Sequence, residues 1–226
     1  MQSRTWILGL LIAASLLGCA TAPDRSPTSE TLSGDNDFGL VPSGFLSDYS
    51  KLARSTAPDT NGAYIYRNRS KSLGLYKMVI IEPVKVHLRP DAAGRKQSPN
   101  KLRNLASYFE SKLRENLANS FPEVSQPAFG VMRIRAAIVD ATPTLPNAKG
   151  VEGPPVVGMA AMELEILDSQ TGEQLAAAVD SRPGRWHLVK NLTQEDGYTK
   201  DLLNQWAVLL RNALDDVRGL RRGRGI

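Results

Sequence analysis

One cysteine, two histidines and two glutamates spaced i, i+2 are the side chains of this 226-residue sequence whose types and spacing invite chemistry. Cys19 stands at the end of an apolar run, Trp6 to Leu17, that follows Arg4. A thiol is a nucleophile once deprotonated. A lone cysteine cannot close an internal disulfide, so its position has to explain it. His87 and His187 lie far apart, and zinc takes three or four ligands at defined spacing. With no HExxH or Cys/His cluster, neither a metal site nor a cofactor is expected, and His87 reads as a solvent-facing strand residue. Glu163 and Glu165 share one face of a strand pattern, where they read as charge partners of a neighbouring strand rather than a catalytic carboxylate pair. Ser43, in Pro42-Ser43-Gly44, lacks the GxSxG frame of a nucleophile elbow. No glycine-rich phosphate loop occurs.

The N-terminus has a basic residue, an apolar stretch of about 12 residues and a small residue before Cys19, the three parts of a secretory signal. The stretch is too short for the roughly 20 residues that cross a bilayer. Leu16-Leu17-Gly18-Cys19 resembles the bacterial lipobox. That resemblance implies cleavage after Gly18, a diacylglycerol on the Cys19 thiol and an acylated new amine. Several acyl chains anchor stably where one does not. Ala20 follows the cysteine, and the absence of aspartate there resembles lipoproteins sorted to the outer membrane. A lipid-anchored protein on the periplasmic face of that membrane is therefore expected.

Net charge is +5, from 28 basic and 23 acidic residues; residues 1–18 contain only Arg4. Much of the remaining excess sits in Arg218, Arg221, Arg222 and Arg224. A near-neutral core argues against a nucleic-acid surface. Hydrophobic residues at 42% and charged residues at 23% describe a globular chain. It is long enough for one core held without disulfides.

Residues 1–18 thus read as signal peptide and 19–39, rich in Ser, Thr, Pro and Asp, as a disordered tether reaching roughly 25 Å. Residues 40–217 read as one globular domain and 218–226 as a basic disordered tail. Within the domain, Phe45, Leu46, Tyr49 and Leu52 suggest a short helix or a docked segment, and Tyr64-Ile65-Tyr66 a short strand. Residues 76–89 read as a strand with a bulge or an edge at Pro83, which cannot donate to a ladder. Asn100 is a plausible cap for a helix over 101–119, with Leu102, Leu105, Phe109, Leu113 and Leu117 on one face. Residues 130–139 and 157–168 alternate, putting Arg133 and Arg135 opposite Glu163 and Glu165 on an expected exposed face. Asp168 to Gly172 is a hairpin turn into a strand over 173–181. Leu202, Trp206, Leu210, Ala213 and Val217 form a second helical stripe. The order β-α-β-β-β-α predicts an α+β domain: an antiparallel or mixed sheet with helices packed on one face.

Two segments remain for partners. The stretch 140–156 carries Pro143, Pro146, Gly150, Gly153, Pro154 and Pro155 between two paired strands, and long connections of this kind are often functional. It is a candidate partner-binding loop. The tail, RGLRRGRGI, reads as a solvated end or as a contact for anionic envelope surfaces such as lipid phosphates.

Ser43-Gly-Phe-Leu-Ser-Asp-Tyr-Ser-Lys-Leu52, Tyr64-Ile-Tyr-Arg67, Ile80-Ile-Glu-Pro-Val84, Met132-Arg-Ile-Arg-Ala-Ala-Ile-Val-Asp140 and Asp168-Ser-Gln-Thr-Gly172 together resemble the proteobacterial lipoproteins of domain-of-unknown-function family 3313. The first segment is the most specific. The resemblance covers about residues 40–217 and implies an envelope lipoprotein without assigning catalytic residues. The element order is also similar to small α/β domains of other envelope lipoproteins and of the translocation protein TolB. The expected function is a non-catalytic module that binds an envelope protein or polymer. The alternative is a periplasmic hydrolase of cell-wall or glycan material, which would require two carboxylates facing a cleft.

Overall fold

The computed structural model describes residues 39–142, 158–183 and 196–220. In chain order the elements are β1 (Ala53–Arg54), β2 (Tyr64–Arg67), β3 (Met78–Ile81), β4 (Lys85–Val86), α1 (Pro99–Leu117), β5 (Val131–Ala141), β6 (Met159–Asp168), β7 (Gln174–Pro183) and α2 (Gly197–Val217). They build a mixed α+β fold on one seven-stranded sheet, ordered β1-β2-β7-β6-β5-β3, with β4 also paired to β5. The long strands β5, β6 and β7 are antiparallel neighbours. β3 and β4 run parallel to β5, because α1 carries the chain back to the end of the sheet where it began.

Pro83 falls between β3 and β4 on this outer edge, where a missing donor disturbs no inner ladder. The next amide, Val84 N–H, donates instead to the Glu110 carboxylate of α1 at 3.1 Å. The predicted stripe of α1 is buried: Leu102, Leu105, Phe109, Leu113 and Leu117 all face the sheet. Its start differs from expectation. Pro99 takes the first helical position, after Ser98, and no side chain caps the helix. Proline's fixed φ suits that position and it has no N–H to satisfy. Asn100 lies inside the first turn and accepts a hydrogen bond from Arg103.

α1 and α2 cover the face that carries Met132, Ile134, Ala136, Ile138, Met162, Leu164 and Ile166. Phe109 and Trp206 meet there with ring centroids 6.3 Å apart. In α2 the buried set is Tyr198, Thr199, Leu202, Leu203, Trp206, Ala207 and Leu214. The stripe read from sequence drifts off the core in its second half, where Leu210 and Val217 are half-buried and Ala213 is exposed.

The β6–β7 hairpin forms as expected. Gly172 has φ 72°, and the Asp168 carboxylate accepts the amides of Gln170 and Thr171, each at 2.9 Å. The Tyr76 hydroxyl donates to the same carboxylate at 2.7 Å. Burial, together with this bond to Asp168, raises the Tyr76 pKa above its ordinary value near 10. Burial also tends to raise Asp168, but the Tyr76 hydroxyl and the turn amides outweigh it and lower its pKa. Tyr76 therefore stabilises the fold fully below about pH 10, and that contribution is lost as pH rises beyond it. Asp168 acts with the opposite sign: its contribution is present above about pH 4 and is lost as pH falls through its lowered value. The melting temperature of the native chain is expected to drop from pH 9 to pH 11, and the drop should be smaller in Tyr76→Phe. Equal slopes in the two proteins would contradict the assignment.

Candidate functional site

The opposite face of the sheet is where the sequence misleads. Arg135 does stand opposite Glu165, as expected, but Arg133 stands opposite Leu167 and Glu163 opposite Ala137. Arg133 pairs instead with Glu82, at 3.2 Å. Nor is this face exposed: Glu163 and Glu165 are both 0% exposed. Alternating charge is the pattern of a solvated surface, yet Ala137, Ala161 and Ala177 provide a floor shallow enough for Phe45 and Leu46 to pack on. The segment from Leu40 to Leu52 crosses the sheet as a strap. It forms no helix, which resolves the reading of this stretch in favour of a docked segment.

The strap is held through the two glutamates. Ser43 donates from its amide to one oxygen of Glu163 at 2.9 Å and from its hydroxyl to the other at 2.8 Å. The Tyr49 hydroxyl also donates to Glu163, and itself accepts the amides of Gly44 and Leu46 at 3.0 and 3.1 Å. Burial, and then the bond to Glu163, raise the Tyr49 pKa. Ser47 donates to Glu165 from its amide at 3.0 Å and its hydroxyl at 2.6 Å. Gln174, at the start of β7, adds a third donor to the same oxygen at 3.0 Å. Arg135 donates to the remaining oxygen and lays its guanidinium 4.9 Å from the Phe45 ring centroid. The segment most specific to the family resemblance is thus the strap that encloses these carboxylates. Its signal in sequence was present: Ser43, Ser47 and Tyr49 are polar residues flanking the apolar pair Phe45-Leu46.

Two further carboxylates are buried. Asp140, 2% exposed, follows a register shift in β5. It accepts the Gly94 amide at 2.8 Å and the Ala93 amide at 3.3 Å, with Arg89 at 3.5 Å. Asp180 accepts the indole N–H of Trp206 at 2.7 Å and the Arg182 guanidinium at 2.8 Å. Trp206 is therefore a core residue with its one donor satisfied, as buried tryptophan requires.

Asp180 also lines a concave surface among the described residues, a groove of about 190 Å³ between α2 and strands β2, β7 and β6. Ala176 and Ala178 form its floor, and Leu209, Leu210 and Ala213 its helical wall. The small side chains of β7 leave this space, and it accounts for the half-exposed C-terminal half of the α2 stripe. Its lining is aliphatic, the usual character of ligand pockets.

The residues singled out from sequence divide into two sets. Gly18 and Cys19, the loop positions Pro143, Pro146, Gly150, Gly153, Pro154 and Pro155, and His187 lie outside the described residues. His87 is exposed as expected, just past β4, with its Nε2 3.2 Å from the Ser43 carbonyl oxygen and its ring 6.0 Å from that of Phe45. Among the described residues no group of His, Cys, Asp and Glu is placed to hold a metal ion, and no helix is long and apolar enough to cross a membrane.

No curated protein matches the chain. Solved structures similar to it include the PelC dodecamer from Paraburkholderia phytofirmans, at 14% identity over 71% of this chain and 99% of that one, with a TM-score of 0.36. A minor lipoprotein from Acinetobacter baumannii is 13% identical over 64% of this chain and 96% of its own, with a TM-score of 0.34. A Xanthomonas campestris protein of the DUF330 family is 12% identical over 63% and 86%, with a TM-score of 0.35. The family model described as a protein of unknown function, DUF3313, spans residues 41–210, from the strap to the groove wall of α2, and the chain belongs to that family.

Proposed function

We propose that the protein is a non-catalytic binding module of the bacterial envelope, anchored by acyl chains on Cys19 to the periplasmic face of the outer membrane. The observation that carries the non-catalytic reading is the use made of its buried carboxylates. Each oxygen of Glu163 and Glu165 is occupied by donors of the fold itself, so neither is presented to a substrate or a water. A glycosidase needs two carboxyl groups facing across a cleft, and this pair lies under the strap. What the fold leaves open is the aliphatic groove beneath α2, which suits the apolar side chains of an envelope protein or polymer.

The anchor is tested by Cys19→Ala. The variant is expected to be soluble or unprocessed, whereas the native chain fractionates with outer membrane and gains the mass of its acyl chains. A mature-sized variant that still fractionates with outer membrane would overturn the anchor. The groove is tested in live cells by a photo-reactive residue at Ala213, on its wall, against one at Arg103, on the exposed side of α1. Reproducible adducts with one envelope component at the first position alone support binding there. Identical adduct patterns at both positions count against it.

A further inference from the structure

Two helices cannot roof a sheet of seven strands. A helix is about 10 Å across and strands lie about 4.8 Å apart, so each helix covers roughly two of them. α1 packs on β3, β4 and β5, and α2 on β6. Among the described residues no helix is centred on β7 or β2, and the flank of α2 walls the open strip. Register puts Ile65 opposite Ala178 and Arg67 opposite Ala176 on this face. The groove therefore has a direction. Asp180, bonded to Trp206, marks one end. Arg67, Leu73 and Val217 mark the other, where a Cβ on Gly74 would lie 3.0 Å from the Val217 carbonyl oxygen. The floor runs about 13 Å from Ala176 to Asp180, and the wall about 16 Å from Trp206 to Val217.

Polarity and size limit what can enter. The backbone of the floor is engaged in the β2–β7 and β6–β7 ladders. The Asp180 carboxylate is held by Trp206 and Arg182, and the Thr60 hydroxyl pairs with Ser55 at 2.7 Å. A peptide laid along the groove would bring N–H and C=O groups and find no partners for them. A helix does not fit: one turn, about 10 Å across and 5.4 Å high, displaces on the order of 400 Å³, against about 190 Å³ here. A hydrocarbon chain is slender and needs no hydrogen bonds. At about 1.3 Å of length per carbon, set by C–C bonds near 1.5 Å, the floor takes about ten carbons. Arg67 supplies the charge at one end. It is exposed, and among the described residues it has no carboxylate partner. An anionic head is favoured there and disfavoured beside Asp180. One groove with one such cation suits a single chain and leaves a second chain in water.

We propose that the groove binds a fatty acid, with about ten carbons of its chain on Ala176 and Ala178 and its carboxylate on Arg67, an inference that rests on the reading of this groove as the module's binding surface. The test uses residues 19–226 carrying Cys19→Ser, so that no acyl group of the chain itself competes, titrated calorimetrically with saturated carboxylates below their micelle concentrations. Each methylene seated should tighten binding about fourfold, so decanoate should bind about 15-fold tighter than octanoate. Dodecanoate and tetradecanoate should gain no more than about twofold over decanoate, since their extra carbons leave the floor. Decanoate should bind about threefold tighter than decanol, the scale of an exposed ion pair, and decyltrimethylammonium more weakly than either. Arg67→Ala should remove the preference for decanoate over decanol and leave decanol binding unchanged, and Arg67→Lys should restore the preference. Ala213→Trp from the wall and Ala178→Leu from the floor should each weaken decanoate at least tenfold while the variants still unfold cooperatively. Absence of decanoate binding, affinity that keeps climbing fourfold per methylene beyond twelve carbons, or a decanoate preference untouched by Arg67→Ala would each overturn the proposal. Tighter binding of dioctanoyl phosphatidylglycerol than of decanoate would overturn it in favour of a two-chain lipid. Reproducible adducts of one envelope protein at Ala213 without decanoate binding would sink the fatty acid and keep the groove as a binding surface. Neither adducts nor binding would sink both.

Discussion

Glu165→Ala is expected to lower the unfolding free energy by about 3–5 kcal/mol, the cost of removing one partner from a buried ion pair. Glu165 is 0% exposed, and its loss strands four donors together: the Ser47 amide and hydroxyl, the Gln174 amide group and the Arg135 guanidinium. Arg135 keeps Glu82 at 3.5 Å, so the loss should fall toward the lower end of that range. Glu163→Ala removes hydrogen bonds from Ser43 and Tyr49 but leaves no cation without its partner, and should cost less. Urea unfolding of the three proteins measures the difference. Because Ser47 and Glu165 act as one unit, the double variant Ser47→Ala, Glu165→Ala should be less destabilised than the sum of the singles. Glu165→Ala should also expose the strap to proteases between Leu46 and Lys51 while the α1–α2 side stays protected. A loss under about 1 kcal/mol, the level of an exposed pair, would mean that the strap does not seal the face.

The same strap marks where the sequence stopped being readable. Periodicity alone placed α1, α2 and the hairpin of β6 and β7, because each has one dominant apolar face and its turn chemistry is local: Gly172 for the hairpin, Pro83 for the edge. The parallel pairing of β3 with β5 was not legible, since it depends on where α1 returns the chain and leaves no mark on either strand. β1 is two residues long and exposed, with no pattern to detect. The larger error concerned Glu163 and Glu165. A strand alternating glutamate with Met162, Leu164 and Ile166 has the pattern of a half-solvated sheet, and buried glutamate is rare unless its oxygens are satisfied. Five of the seven donors that satisfy them, from Ser43, Ser47 and Tyr49, come from a segment more than a hundred residues earlier in the chain. No local rule connects two stretches so far apart. The family resemblance pointed to that segment as specific, and the structure supplies the physical reason: serine and tyrosine at 43, 47 and 49 hold it over the buried carboxylates.

Gly94 and Gly172 both sit in turns of the structure, yet they should respond to substitution for different reasons. At Gly172 a Cβ would meet nothing within 4 Å, and only the positive φ of 72° resists a side chain. Gly172→Ala should therefore cost about 1–2 kcal/mol, the penalty of one left-handed residue, and Gly172→Asn less, since asparagine tolerates that region. At Gly94 the backbone is ordinary but the space is absent. A Cβ would lie 2.7 Å from the Ala141 carbonyl oxygen, 2.9 Å from its amide nitrogen and 3.0 Å from the Asp140 carboxylate. Two of these three neighbours are backbone atoms of β5, so the 3₁₀ turn Ala93–Lys96 must move instead. That movement would pull the Gly94 and Ala93 amides from a carboxylate only 2% exposed. Overpacking costs about 1–3 kcal/mol, and a lost bond to a buried charged group adds roughly 1.5–3 kcal/mol. Gly94→Ala is accordingly expected to cost about 3 kcal/mol or more, lowering the melting temperature by roughly 6–12 °C for a domain of this size. Asparagine should not rescue this site, because the obstacle at Gly94 is volume and not φ. A Gly94→Asn variant as stable as Gly94→Ser, or a Gly172→Ala loss exceeding that of Gly94→Ala, would reverse the assignment and place the tight contact at the hairpin.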